Sequence, residues 1–178
     1  MGPGQDLFAV ADAGPLIHLN QIDQLPLLGV FSRVDIPGAV WAETVGAGRV
    51  AQRDLENAVP IRRREIDAPA LQQFVQQFGP FPLHPGEMEA LVLCRQLGAA
   101  LLLVDDLAAR EAAQRQGVRP VGSLGVVVRA YHAGRIPLAR AEDCIQRLYR
   151  VSSLFVTQAI ADLAIEQLRG HAPSAMRR

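Results

Sequence analysis

The sequence predicts an α/β fold in which a central parallel sheet lies between two layers of helices. Two observations lead to this prediction. Short apolar runs alternate along the chain with segments of helical periodicity, and the most apolar run, Leu101–Val104, has no polar position that would face solvent. A strand of this kind is typical of a parallel sheet that is covered on both faces. We therefore expect a three-layer α/β/α sandwich.

The composition is that of an ordinary globular domain. The 178 residues carry no net charge and are 49% hydrophobic and 20% charged, which excludes disordered and fibrous classes. We expect one domain over residues 1–178, with a core at about 8–134, a helical C-terminal part at 137–169 and a disordered tail at 170–178. No apolar run approaches the roughly 18 residues that cross a bilayer, and the first residues lack the pattern of a secretory signal. The sequence therefore predicts a cytoplasmic protein without membrane contact.

Several kinds of chemistry are excluded by what the chain lacks. All 18 basic residues are arginines, so the lysine of a P-loop ATPase or of a Schiff-base enzyme is missing. The segment Gly46–Ala51, GAGRVA, has the form of a dinucleotide-binding fingerprint but follows a predicted helix rather than a strand. Cys94 and Cys144 lie in helical segments with no histidine at metal-ligand spacing, so we expect reduced packing residues rather than a zinc site or a disulfide.

The first half of the chain alternates between strand and helix. Strands are predicted at the short apolar segments LFAVAD and RVDIP, and an extended segment at VPIRRR. Pro26 separates two short helices, Pro37 fits the opening of the next one, and Gly46 with Gly48 ends it. The predicted helices are GPLIHLNQI, QLPLLGVF, GAVWAETV, RVAQRDLENA and PALQQFVQQF.

The second half begins after the Pro-rich loop GPFPLHPGE and ends in helices. A helix from Gly86 to Leu97 precedes the strand at Leu101–Val104, and the strand VRPVG follows one helix later. The remaining predicted helices are LAAREAAQRQ, LGVVVRAYHAG, LARAEDCIQRLYR and TQAIADLAIEQLR. Strands separated by helices imply parallel neighbours that are joined by crossovers.

Acidic residues follow two of the predicted strands. Asp12 ends the first strand, and Asp105 with Asp106 ends the strand at Leu101–Val104. The carboxyl ends of parallel strands share one edge of the sheet, where open α/β folds usually build their sites. One of the two adjacent aspartates can cap the following helix, which is the usual role of an aspartate at that position. The other is then available for a site shared with Asp12.

A further acid lies on the inward face of a predicted helix. Glu87 falls in the middle of the apolar stripe of its helix, while Glu89 is directed towards solvent or the rim. The stripe consists of Ala90, Leu91, Cys94 and Leu97. Burying the charge of Glu87 is unfavourable unless a partner compensates, and either a buried arginine or a divalent cation shared with the other acids does so. Spacing does not single out Glu43, for which a solvated position on its helix is the default.

Several carboxylates without histidine or cysteine form a hard-oxygen site. Such a site suits Mg²⁺ or Mn²⁺ rather than zinc. These ions bind phosphate oxygens and lower the pKa of a bound water. The acids therefore predict a metal-dependent enzyme that acts on phosphate esters.

Four segments, taken in order, resemble the PIN-domain superfamily of metal-dependent nucleases, and within it a branch related to VapC-type toxins. They are VADAGPLIHL, VDIPGAVWAET, GEMEALVLCRQLGAALLLVDD and VGSLGVVVRA. The match covers about residues 8 to 134, and its specificity comes from the register of all four segments. The resemblance implies the same α/β/α sandwich around a central parallel sheet.

The resemblance also implies which acids form the site. The catalytic acids of the family fall, in order, on Asp12, Glu43, Glu87 and Asp105. The metal ligands would be Asp12, Glu87, Asp105 and Asp106, the last as a helix cap or auxiliary ligand. Glu43 is thus included by the resemblance and not by its spacing.

An activity and partners follow from the same resemblance. A water activated by Mg²⁺ or Mn²⁺ would hydrolyse RNA phosphodiester bonds and leave 5′-phosphate and 3′-hydroxyl ends. The chain would be the toxin of a type II toxin–antitoxin pair, a homodimer whose site is blocked by a small antitoxin protein. In one departure, Ala13 and Gly14 replace the hydroxyl residues that are common after the first acid, which puts in doubt any Ser or Thr contribution to the metal shell there.

Two rival functions remain open. A PIN-like binding module without turnover would use the same acids to hold a structural ion. A phosphatase that forms an aspartyl-phosphate would need a second aspartate two residues after Asp12 and a later lysine, and this sequence has neither.

Other polar and aromatic residues are weaker candidates. Arg62–Arg64 form the densest basic run, which is usually a solvated face and otherwise a contact for RNA phosphates. His18, His84 and His132 have no catalytic partner that the sequence identifies, so we expect packing or solvent contact. Trp41 is expected in the core or on a dimer surface rather than as a base-stacking platform.

Overall fold

The computed structural model describes residues 7–79 and 82–170. The strands in this part of the chain are β1 (Phe8–Ala11), β2 (Arg33–Pro37), β3 (Ile61–Arg64), β4 (Leu101–Leu103) and β5 (Arg119–Val121). They form one parallel sheet in the order β3-β2-β1-β4-β5. The carboxyl ends of β1 and β4 therefore lie side by side in the middle of the sheet.

Helices follow the strands along the chain. They are α1 (Ala13–Gln21), α2 (Gly38–Trp41), α3 (Gln52–Ala58), α4 (Ala68–Phe78), α5 (Pro85–Leu97), α6 (Leu107–Arg115), α7 (Ser123–His132), α8 (Leu138–Arg150) and α9 (Gln158–Gly170). Two shorter elements complete the path. A 3₁₀-helix, Leu25–Val30, precedes β2, and α2 continues into one π-helical turn, Ala42–Gly46.

Both faces of the sheet are buried. Successive residues of a strand point to opposite sides, so the strands contribute to two apolar clusters. Ala9 and Leu101 contribute to one apolar cluster, which includes residues of α1, α7, α8 and α9. Val10 and Leu102 contribute to the other, which includes residues of α4, α5 and α6. The predicted three-layer α/β/α sandwich around a parallel sheet is confirmed.

The boundaries of the elements differ from the predictions in a few places. The segment QLPLLGVF forms a 3₁₀-helix rather than an α-helix, and GAVWAETV widens from α to π at Ala42. The extended segment VPIRRR pairs with β2 as β3. Of the tail predicted at 170–178, Gly170 ends α9 and the other residues lie outside the described part of the chain.

Three further expectations concern features away from the candidate site. Within the described residues, no helix is both long and apolar enough to span a membrane. Cys94 and Cys144 are buried free thiols, in agreement with the prediction. The segment Gly46–Ala51 runs through a turn after the π-helical residues, so it is not a strand-to-helix nucleotide loop.

Candidate active site

The first two acids of the candidate site lie together at the carboxyl edge of the sheet. Ala11 of β1 is paired with Leu103 of β4, so the aspartates that follow these strands emerge as neighbours. A Cβ atom at position 14 would lie 3.7 Å from Asp12 Oδ2 and 3.4 Å from Asp105 Oδ2. Gly14 therefore leaves open the space between the two carboxylates.

Asp12 is a buried acid that caps a helix. Its side chain accepts a hydrogen bond from the Gly14 backbone N–H at 3.3 Å, and only 7% of the residue is exposed. Burial raises the pKa of Asp12 to about 6, against the lowering effect of the Ala13 and Gly14 backbone N–H groups. The negative charges of Glu87 and Glu43 contribute to the rise. Asp12 thus lies in a negatively charged environment.

Glu87 faces the interior, as its helical periodicity predicts. It is 8% exposed, and its Oε2 accepts a hydrogen bond from the His84 backbone N–H at 2.9 Å across the first turn of α5. Burial raises the pKa of Glu87, and the charges of Asp106 and Glu43 raise it further, while the hydrogen bond from His84 lowers it. Burial and neighbouring carboxylates therefore disfavour the ionised form of both Glu87 and Asp12.

Glu43 reaches the site from the π-helical turn after α2, where it is half-buried. Its carboxylate lies against α5, because a Cβ atom at Gly86 would be 3.3 Å from Glu43 Oε1 and 3.4 Å from Oε2. Gly86 immediately precedes Glu87, so this close approach brings the two glutamates together. In the same turn the buried Thr44 hydroxyl donates a hydrogen bond to the Val40 carbonyl at 2.7 Å. That bond replaces part of the regular helical pattern.

Asp105 is held by three hydrogen bonds from two residues. His18 Nδ1 lies 2.7 Å from Asp105 Oδ2, the Ser123 backbone N–H donates to Oδ1 at 2.7 Å, and the Ser123 hydroxyl donates to Oδ2 at 2.5 Å. An ionised carboxylate accepts hydrogen bonds and donates none, so His18 Nδ1 is the donor of this contact in the state in which Asp105 is ionised. Of the roughly four lone-pair positions of a carboxylate, three are used and one on Oδ1 remains.

Asp106 has the role predicted for one of the adjacent aspartates. It is the N-cap of α6, and its Oδ1 accepts a hydrogen bond from the Ala109 backbone N–H at 2.9 Å. Asp106 is exposed, but its charge still contributes to the raised pKa of Glu87. It therefore belongs to the periphery of the acidic cluster.

Several helices begin at this cluster. Asp12 caps α1, Glu87 lies in the first turn of α5, Asp106 caps α6, and the first residue of α7, Ser123, donates to Asp105. The N-terminus of a helix carries a partial positive charge and favours anions. These helix starts therefore stabilise the carboxylates and would equally favour a phosphate group.

Another buried acid, Asp35, provides a contrast within the same sheet. It lies in β2 and is 0% exposed. Arg33 Nε lies 2.6 Å from Asp35 Oδ2, and Arg64 Nε lies 3.0 Å from Oδ1. In the described residues, neither Asp12 nor Glu87 forms an ion pair with an arginine. The fold thus provides cations for a buried acid outside the cluster and not for these two.

Two contacts of the cluster were missed by sequence reasoning, and one expectation was wrong. His18, for which packing or solvent contact was expected, instead hydrogen-bonds Asp105 across 87 positions of the chain. Ser123 was not predicted. It follows β5 at the carboxyl edge of the sheet, so the rule that sites form at the ends of parallel strands could have identified it. Glu89, which was expected at solvent or the rim, is half-buried, and its Oε2 accepts a hydrogen bond from the Ala39 backbone N–H at 2.8 Å.

The basic run contributes mainly to ion pairs away from the cluster. Arg64 pairs with Asp35, and Arg63 Nη2 lies 2.7 Å from Glu65 Oε1. The Arg63 guanidinium also lies 5.9 Å from the centre of the Trp41 ring, which packs against the core. These contacts indicate that Arg63, Arg64 and Trp41 stabilise the fold, and they do not favour a role in binding RNA.

The donor chemistry of the cluster fits a divalent cation. Its oxygen-only ligands suit Mg²⁺ or Mn²⁺, burial and the neighbouring carboxylates raise the pKa of Asp12 and of Glu87, and Gly14 leaves space between Asp12 and Asp105. Among residues 7–79 and 82–170, no three Asp, Glu, His or Cys side chains are placed closely enough to bind one ion as they stand. Ion binding would therefore require carboxylate side chains to rotate.

Comparison with known proteins identifies the family. A solved structure of a PilT N-terminus domain protein from the hyperthermophilic archaeon Sulfolobus solfataricus P2 is similar, at 18% identity and a TM-score of 0.48, over 67% of this chain and 89% of that chain. None of the curated proteins compared with the chain matches it. The model of the family DUF3368, described as a PIN domain, matches residues 8–169. The chain therefore belongs to the PIN-domain superfamily, a superfamily of the nuclease type.

Proposed function

We propose that the protein is a Mg²⁺- or Mn²⁺-dependent ribonuclease that hydrolyses RNA phosphodiester bonds. Asp12, Glu43, Glu87 and Asp105 are its catalytic acids, and Asp106 is an auxiliary acid. The proposal rests on membership of the PIN superfamily and on the clustering of these carboxylates at the edge of the sheet.

The observation that carries the proposal is the contrast between Asp12 and Asp35. Both acids are buried, but Asp35 is neutralised by two guanidinium groups, whereas Asp12 forms no ion pair with an arginine of the described residues and has Glu87 and Glu43 nearby. An uncompensated buried charge is costly, and proteins retain such charges mainly at functional sites. A bound divalent cation compensates Asp12, Glu43 and Glu87 together.

The residues of the chain have separate roles in this proposal. Asp12, Glu87 and Asp105 would hold the cation, with Glu43 and Asp106 adding negative charge around it. When bound, Mg²⁺ or Mn²⁺ neutralises phosphate oxygens and facilitates attack by water. His18 and Ser123 fix the orientation of Asp105, and the N-termini of α1, α5, α6 and α7 favour the phosphate.

The test is cleavage of single-stranded and structured RNAs by purified protein with Mg²⁺, with Mn²⁺ and with EDTA. We expect metal-dependent cleavage that is lost in Asp12→Asn and Asp105→Asn. Asp67→Asn is the matched control, because Asp67 is also an N-cap aspartate, of α4, and lies outside the cluster. Cleavage that persists in EDTA, or in Asp12→Asn at the wild-type rate, would exclude this mechanism.

The rival function is a PIN-like binding module that holds a structural ion without turnover. The three hydrogen bonds that Asp105 accepts favour it, because they leave Asp105 one free lone-pair position, so that a structural ion would be held by Asp12, Glu43 and Glu87 without the full set of catalytic acids. Isothermal titration with Mn²⁺ separates the two functions. Binding that depends on Asp12, with no cleavage of any RNA in the panel, would establish the module.

We also propose, from the resemblance to VapC-type toxins, a cytoplasmic toxin that forms a homodimer and is inhibited by a small antitoxin protein. Induced expression in a bacterial host is expected to arrest growth for the wild type and not for Asp12→Asn. Co-expression of the adjacent gene is expected to restore growth. Sedimentation of the purified chain measures the dimer.

A further inference from the structure

A groove of about 780 Å³ includes Asp105 of the candidate active site in its lining. Its lining includes Asp105 and the edge strand β5, and its far wall is formed by the segment 154–156 and Ile160 near the start of α9. Because Asp105 belongs both to the acidic cluster and to the groove, a chain lying in the groove would reach the cluster.

The groove carries arginines that no carboxylate of the described residues pairs with, although the Arg129 guanidinium lies 5.7 Å from the centre of the Phe31 ring. Arg110, Arg119 and Arg129 line it, and in the described part of the chain none of the three forms an ion pair. Burial lowers the pKa of Arg129, and the nearby charge of Arg119 lowers it further. Two guanidinium groups that repel each other are stabilised by an anion bound to both, and arginine suits phosphate through its paired donors.

The groove also exposes apolar surface beside these charges. The side chain of Phe155 is 99% exposed, and Leu107, nearer to Asp105 in sequence, is 69% exposed. An aromatic ring with this exposure is available to stack on a nucleobase, and stacking with flanking cations is how single strands are commonly bound.

We propose that this groove is the binding subsite for single-stranded RNA, with phosphates on Arg119 and Arg129 and a base stacked on Phe155. The inference rests on the proposed nuclease function for its choice of ligand. It deepens that function by assigning a strand path into the site and a preference for unpaired substrate. A double helix has no free base for Phe155 and presents its bases only at their edges.

A protein segment is the alternative occupant, since several aliphatic residues also line the groove. Two features favour RNA. The charged residues other than Asp105 are all basic, which matches a polyanion, and Asp105 is one of the acids whose proposed substrate is a phosphodiester. A self-associating surface would be expected to neutralise its own arginines.

The test measures binding in EDTA, so that no cleavage is required. A fluorescently labelled single-stranded RNA of about 12 nucleotides and the corresponding duplex are titrated with wild type, Arg119→Gln/Arg129→Gln, Phe155→Ala and two controls. Arg53→Gln and Leu163→Ala are the controls, since both residues are exposed and lie outside the groove. Circular dichroism checks the fold of each variant. Phe155→Ala is expected to fold normally because its ring is exposed, so it tests the proposal even if the double arginine variant misfolds.

We expect the double arginine variant to bind the single strand at least tenfold more weakly. The slope of log affinity against log salt should fall by about 1.4, which corresponds to two lost phosphate contacts. Phe155→Ala should weaken binding about tenfold, and the controls less than twofold. Wild type should bind the duplex more weakly than the single strand.

The inference is overturned if wild type does not bind the single strand, if both groove variants bind it like wild type, or if the duplex binds equally well. A dimer that dissociates in Phe155→Ala while RNA binding stays intact would assign the groove to protein association instead. A separate Mn²⁺ cleavage assay keeps the two proposals distinct. If Asp12→Asn cleaves like wild type while the groove variants lose binding, the nuclease proposal fails and the groove stands.

Discussion

At the scale of single residues, the protein treats two buried aspartates in opposite ways. Asp35 receives two arginines, and Asp12 receives a helix N-terminus and a set of acids. The first arrangement stabilises the ionised carboxylate in the folded protein. Around Asp12, burial and the nearby Glu87 and Glu43 disfavour the ionised form despite the helix N-terminus, which is expected where an ion or substrate supplies the missing charge.

The raised pKa of Asp12 makes stability depend on pH. In the unfolded chain its pKa is near 3.8 and in the folded protein about 6, so the folded state binds the proton more tightly between these values. Stability contributed by this group is present below pH 4 and is lost as pH rises through 6, by about 3 kcal/mol.

We therefore expect Asp12→Asn to be more stable than wild type at pH 7.5 in EDTA, by up to about 3 kcal/mol. Asparagine keeps the helix cap and removes the buried charge. The gain should disappear below pH 4, where Asp12 is protonated in both states. Urea unfolding of the two proteins across this range measures the difference, and a variant less stable at pH 7.5 would contradict the prediction.

For Asp35 the opposite result is expected. Asp35→Ala leaves Arg33 and Arg64 without their carboxylate and should lower the free energy of unfolding by about 2 kcal/mol, because two charged hydrogen bonds to a buried acid are lost while the arginines, 26% and 37% exposed, remain partly solvated. Mn²⁺ affinity should not change, since Asp35 lies outside the cluster. Urea unfolding measures the loss of stability, and isothermal titration measures the Mn²⁺ affinity. A loss of Mn²⁺ affinity would show that Asp35 and the acids of the cluster do not act separately.

At the scale of elements, the position of Asp105 depends on how closely α7 approaches the end of β4. A Cβ atom at Gly122, the N-cap of α7, would lie 2.7 Å from Asp105 Oδ1 and 3.1 Å from Arg110 Nη1. Only glycine allows this approach, although the backbone conformation of Gly122, with φ of −81°, is open to any residue. The constraint is therefore one of space and not of backbone strain.

Gly122→Ala is accordingly expected to displace Asp105 while the fold is retained. Metal-dependent cleavage should fall at least tenfold, and the melting temperature should change little. The control is Gly46→Ala, where the added methyl group meets no atom closer than 3.6 Å. Equal activity in both variants would show that the orientation of Asp105 does not matter for the reaction.

At the scale of the whole molecule, ion binding should be linked to stability. A cation that binds the folded protein stabilises it, and it competes with the proton for Asp12. We expect Mn²⁺ to raise the melting temperature at pH 7.5, with an effect that shrinks below about pH 6 as Asp12 is protonated. The shift should be absent in Asp12→Asn and present in Asp67→Asn. An equal shift in all three proteins would place the ion elsewhere.

The sequence predicted most of the architecture and only part of the site. Short apolar strands and periodic helices predicted the sandwich. The position of Asp12 and Asp105 after two parallel strands, and the helical periodicity around Glu87, predicted these three acids as candidate site residues. The position of Glu43 depends on a π-helical turn, which leaves no periodic signal, so the family resemblance was needed to include it. The contact between His18 and Asp105 joins residues 87 positions apart, and local patterns carry no information about such a pair.

The acids of the cluster are also the residues that start its helices. Asp12 and Asp106 hold the first turns of α1 and α6, and Glu87 closes that of α5. Replacing these acids with apolar residues would remove helix caps together with the chemistry. A lineage that lost the proposed nuclease activity would therefore still be under selection for helix-capping residues such as asparagine or serine at positions 12 and 106. After loss of the reaction, the descendants of this gene would still carry polar residues at these two positions.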